Sequence, residues 1–96
     1  MKEVYFGDFH AVVLHHVRDI ERAGPALQST EWYLLRYLRR VATHSNPPAS
    51  PHGVESSMRA LLRFYVDVID ETTELGERCR QVFEAHRRSL RNPDAD

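Results

Sequence analysis

One cysteine, Cys79, is all the thiol chemistry the sequence holds. A lone thiol forms no intrachain disulfide, which excludes the cross-linked scaffolds of small secreted domains and favours a reducing compartment. No apolar run approaches the roughly 18 residues of a membrane-spanning helix, and Met1 to Asp8 lack the charged, apolar and small-residue succession of a signal peptide. A cytoplasmic protein with no membrane partner is the expectation. Net charge is also nearly absent. Thirteen Lys and Arg against 14 Asp and Glu leave −1, without the positive excess that marks most nucleic-acid binders. With 42% hydrophobic and 28% charged residues and a mean hydropathy of −0.53, the composition is that of a globular chain. Ninety-six residues fit a single domain with one core.

The longest organised stretch lies near the C-terminus. Val54, Met58, Leu61, Tyr65, Val68, Thr72, Leu75, Cys79, Val82 and His86 alternate in steps of four and three, the spacing of a heptad repeat. Leu62, Ile69, Gly76, Phe83 and Leu90 form a second line beside them. The two lines make a face wide enough to pack against more than one helix, and the pattern predicts a long helix over 54–91, with Ser56 or Ser57 in its first turn. Asn92-Pro93 stops it, and residues 92–96 are expected to fray.

Ahead of it, Gly7 and Asp8 offer a turn and an N-cap for a helix over 9–23, whose apolar line is Phe9, Val13, Val17 and Ile20 with Val12 and His16 alongside. Val4-Tyr5-Phe6 reads as an apolar arm. Gly24-Pro25 closes the first helix. A second follows over 26–43, begun by Pro25 or capped later by Ser29 or Thr30. Its core line is Leu27, Leu34, Leu35, Leu38, Val41 and Ala42, and Trp32, Tyr33 and Tyr37 form an aromatic shoulder beside Arg36, Arg39 and Arg40. Three prolines make residues 44–53 a loop. The fold class is therefore all-α: a helical bundle of two shorter helices and one long C-terminal helix.

At 1.5 Å per residue the long helix would reach about 55 Å, against roughly 22 and 28 Å for the others. Two short helices cover only part of it, so Leu75, Cys79, Val82, Phe83, His86 and Leu90 are assigned to an interface completed by a homodimer. The competing arrangement breaks the helix near Thr72 to Gly76 and gives a bundle of four similar helices. An unbroken heptad phase, with no proline there, favours the continuous helix.

Function follows from surfaces rather than from a catalytic motif. Trp32, Tyr33, Arg36, Tyr37 and Arg40 are assigned to partner binding, since aromatics and arginine are enriched at protein contacts, and the reading is a homodimeric interaction or regulatory module with no cofactor. The other reading of these aromatics places them in the core. Nucleic acid ranks second as a partner, through Arg87, Arg88 and Arg91, although these also complement the negative end of a helix. Arg39 to His44 and Arg80 to His86 have a separation that resembles HEPN-type ribonucleases, where arginine and histidine act together on RNA phosphodiesters. The place after the arginine, polar in that motif, holds Arg40 and Gln81. His15 and Asp19 stand four apart, compatible with a metal-binding bundle, but no Glu-x-x-His pair accompanies them and no metal ligand is assigned. Cys79 and His86 lie two helical turns apart, too far for a thiolate pair along one helix, so no catalytic residue is assigned.

Overall fold

The computed structural model describes residues 5–91, leaving Val4 of the apolar arm and the tail at 92–96 outside the described part. Four helices of nearly equal length follow one another: α1 (Gly7–Ala23), α2 (Thr30–Ser45), α3 (Pro51–Val68) and α4 (Glu74–Arg91). At 1.5 Å per residue each is about 24 to 27 Å long, and the bundle measures 44 × 22 × 21 Å. The single helix expected over 54–91 is thus two helices, and the length mismatch that called for a second subunit disappears.

The break is built by side chains that compete with the helical backbone. The Asp70 carboxylate accepts from the Thr72 amide at 2.9 Å and from its hydroxyl at 2.7 Å. The Asp70 carbonyl accepts from the Thr73 amide at 3.1 Å, closing a turn. The Thr73 hydroxyl also donates to that carbonyl, at 2.6 Å, and its oxygen accepts from the Gly76 amide at 3.3 Å, in the manner of an N-cap for α4. Gly76 is needed for closeness. A Cβ there would sit 2.7 Å from the Cα and carbonyl oxygen of Glu71, which are backbone atoms that cannot swing away. An unchanged heptad phase did not reveal this turn, because each half keeps its own apolar stripe when the chain doubles back.

Capping residues set the other ends. Gly24 closes α1 in the left-handed conformation (φ 64°), its amide donating to the Glu21 carbonyl. The N-terminal position of α1 belongs to Phe6, not Asp8, which lies inside the first turn where its charge suits the helix dipole. Ser29 caps α2, accepting from the Trp32 amide at 3.2 Å, so the helix starts at Thr30 rather than residue 26 and leaves Leu27 outside it, 75% exposed. Ser50 caps α3 with Pro51 in its first turn, shortening the expected loop at both ends.

One core cluster results, with Phe9, Val13, Leu34, Leu38, Val41, Val54, Leu61, Cys79 and Val82 almost fully buried. On α3 the buried face runs through Val54, Ser57, Met58, Leu61 and Phe64, whereas Leu62 and Val68, both on the expected apolar lines, are about half exposed. α2 packs between α1 and α3, and α4 packs on α1 while touching α3 only lightly. Of the seams between consecutive helices, that between α3 and α4 is the loosest.

Candidate functional site

The aromatic shoulder of α2 and the neighbouring turns of α3 form one surface. Tyr37 stacks on Phe64 at 4.7 Å between ring centroids, which seats the shoulder on the core and joins the two helices. Trp32 and Tyr33 meet edge to face at 4.9 Å, and the Arg36 guanidinium lies 5.0 Å over the Trp32 ring. Beside them is a shallow depression of about 500 Å³, lined by Tyr37 and Arg40 from α2 and by Ser56, Arg59, Ala60, Arg63, Phe64, Asp67 and Val68 from α3. A smaller one joins Tyr33, Arg36, Tyr37 and Arg40. Arg59 is paired with Glu55 at 2.6 Å. Arg36, Arg40 and Arg63 have no ion pair among the described residues, so the surface is locally positive on a chain of net charge −1. Sequence reasoning named the α2 half of this surface. Arg59, Arg63 and Phe64 were missed because only the packing of α3 beside α2 brings them there.

The six residues assigned to a dimer interface lie elsewhere and are mostly covered by α1. Cys79 and Val82 are in the core. Leu75 and Phe83 are partly buried against it, and Phe83 meets Tyr65 at 5.3 Å. The His86 ring packs on Phe6 at 6.5 Å and Phe9 at 5.4 Å, and burial holds its pKa below the usual value. Leu90 alone is half exposed. α1 thus supplies within the chain the cover expected from a second subunit.

Other candidate residues are drawn into structural contacts. His15 stands 3.5 Å from Asp19, whose oxygens also take Arg22 at 3.5 Å and Arg78 at 3.3 Å. Two guanidiniums on that carboxylate oppose a cation, and no group of three His, Cys, Asp or Glu suited to a metal occurs among the described residues. Arg80 donates to the Glu71 carbonyl and to Glu77, both at 2.6 Å, while His86 faces the phenylalanines. Arg39 is held by Glu21 at 2.8 Å on the α1 side of its helix. Burial pushes the Cys79 thiol up to about 11, which leaves it protonated and unreactive at neutral pH. Arg87 pairs with Glu84 at 2.8 Å.

A polar clasp between α1 and α4 was not anticipated. Arg78 reaches His16 at 3.0 Å, Asp19 at 3.3 Å and Glu74 at 3.3 Å. A guanidinium only donates, so the His16 Nδ1 accepts and its proton resides on Nε2. Burial first and the Arg78 charge second lower the His16 pKa, and the Arg78 hydrogen bond lowers that of Asp19. The clasp forms one wall of a cleft of about 620 Å³ between the α1–α2 connection and the α3–α4 turn, rimmed by Asp19, Glu31, Asp70 and Glu74.

Comparison with family models, curated proteins and solved structures gives no match for this chain. No described helix is long and apolar enough to cross a membrane.

Proposed function

We propose that the chain is a small protein-interaction module whose α2–α3 surface receives an acidic segment of a partner protein. The observation that carries this reading is the convergence of Arg40 from α2 with Arg59 and Arg63 from α3 around one depression beside the Tyr37–Phe64 stack. Guanidiniums form charge-assisted pairs with carboxylates, and the stacked rings give a rigid floor that loses little freedom on binding. Arg36 and Trp32 extend the same surface by one helical turn. Ala60 and Val68 supply apolar lining, and Asp67 supplies a negative mark within it. That mixture fits a peptide carrying both carboxylates and apolar side chains better than a uniform phosphate backbone, and the balanced overall charge points the same way.

The test is fluorescence anisotropy with a labelled peptide that alternates Asp or Glu with aliphatic residues. Binding that weakens as salt rises, and that falls at least tenfold in the Arg40→Glu/Arg63→Glu variant, is the expected result. Equal binding by wild type and variant, or none by either, would remove the assignment. A single-stranded oligonucleotide that outcompetes the peptide would move the surface to nucleic acid.

A further inference from the structure

We propose that this chain forms a dimer by exchanging α4: the turn at residues 69–73 straightens, α3 and α4 join as one helix, and each α4 docks on α1 of a second copy. This goes beyond the α2–α3 surface and does not depend on it. Exchange is favoured where an element is held by a distant part of its chain and tethered by a short hinge, and α4 meets that condition. It packs on α1 and only lightly on α3. The α1 contacts, including Arg78 with Asp19 and His16, and His86 with Phe9, would be remade unchanged with the second copy. Opening loses the Tyr65–Phe83 ring contact and the bond from Arg80 to the Glu71 carbonyl, and it disturbs Ile69, the one buried residue of the hinge.

The hinge is suited to two states. Its side-chain bonds, from Thr72 to Asp70 and from Thr73 to Asp70, are exposed and local, and Asp70 through Thr73 are themselves exposed. No proline lies between Pro51 and Pro93, and Tyr65, Val68, Thr72, Leu75 and Cys79 keep heptad spacing through the turn. The straight helix is thus written into the same residues that fold back. A second copy also answers an exposed feature: Leu62 and Val66 are 48% and 70% exposed on α3, and Leu62 falls on the second apolar line that a continuous helix would present to a facing helix.

Gly76 supplies the lever. The folded-back turn leaves no room for a Cβ against Glu71 and Asp70, whereas a straight helix prefers alanine to glycine. Gly76→Ala should therefore shift each hinge about tenfold toward the straight form, and two hinges open per dimer, so dimerisation tightens about 100-fold. The mass of the variant is read by light scattering on a sizing column. The topology is read by a disulfide between Val12→Cys and Glu84→Cys in a Cys79→Ala background, since Val12 on α1 and Glu84 on α4 line one shallow depression. The expected result is a dimer that oxidation links between chains, while the monomer fraction links within one chain. If circular dichroism shows Gly76→Ala unfolded, Asp70→Ala/Thr73→Ala, which removes the turn's side-chain bonds and adds helix formers, takes its place with the same expectation. A folded variant that stays monomeric at a few hundred micromolar, or a dimer whose disulfide stays within each chain, overturns the proposal.

Discussion

Replacing Arg78 by methionine isolates the clasp between α1 and α4. The aliphatic stem of arginine packs much as methionine does, so the change removes the guanidinium while keeping most of the contact. Its side chain is 19% exposed, and its three partners differ in what they contribute. Glu74 is 83% exposed and contributes little. His16 is 3% exposed, and its Nδ1 would be left without the donor that now lies 3.0 Å away. An unsatisfied buried acceptor costs about 1 to 3 kcal/mol, so a loss of about 2 kcal/mol is expected at pH 8. For a domain of this size that lowers Tm by roughly 8 to 16 °C. The loss should shrink on acidification. Arg78 is one of the causes holding the His16 pKa down; without it, His16 takes a proton more readily and the imidazolium is attracted by Asp19, replacing part of what was removed. Urea denaturation of both proteins at pH 8 and pH 5.5 reads the difference. A destabilisation under about 0.5 kcal/mol at pH 8, or one that grows toward pH 5.5, would refute this description of the clasp.

Two further expectations concern buried titrating groups. Because His16 and His86 both have pKa values lowered chiefly by burial, their neutral forms stabilise the fold fully above the ordinary histidine pKa, and that stability is lost as pH falls through 6.5 toward the folded values. Unfolding free energy should drop between pH 8 and 5 with a slope of up to about 1.4 kcal/mol per pH unit per histidine, and His86→Phe should flatten the curve; a profile that is level or rises with acid contradicts it. Cys79, buried and with its thiol pushed up to about 11, should react with Ellman's reagent at pH 8 only as fast as the protein opens, so that urea accelerates labelling steeply; a rate matching a free thiol in buffer would place the cysteine outside the core.

Helix content and the inner faces of α1 and α2 were legible because their apolar residues recur at helical spacing: Phe9, Val13, Val17 and Ile20, then Leu34, Leu35, Leu38, Val41 and Ala42, are all buried. The α3–α4 turn was not, although its parts were in view. Asp70, Thr72 and Thr73 act through side-chain bonds to nearby backbone, which leave no mark on hydrophobic periodicity. Gly76 reads as a mild weakness in a helix until the chain folds back and its missing Cβ becomes a steric requirement. Val82 and Cys79 were assigned to a subunit interface, whereas they are buried within the chain, because spacing does not say which helix provides the cover. The α2 half of the candidate surface was readable as an aromatic and arginine cluster. Its α3 half depends on which face of α3 turns inward, and the two heptad lines pointed to Leu62 where the structure buries Phe64.

The two proposals join through connectivity. The α2–α3 surface is made only of helices that stay together on the same side of the hinge, so exchanging α4 leaves Tyr37, Arg40, Arg59 and Arg63 in place. A swapped dimer would carry two such surfaces on one rigid body, and a partner with two acidic segments would then bind the second in an intramolecular step. Gains of about 100-fold or more are typical when the spacing between segments matches the span between sites. Monovalent peptide should not distinguish monomer from dimer, since each surface is the same in both. A peptide with two acidic segments joined by a flexible linker should bind the dimer fraction of Gly76→Ala more tightly than its monomer fraction, with an optimum linker length that reports the distance between the two surfaces. Equal affinity at every linker length would show that dimerisation and partner binding are unconnected, whatever the fate of either proposal alone.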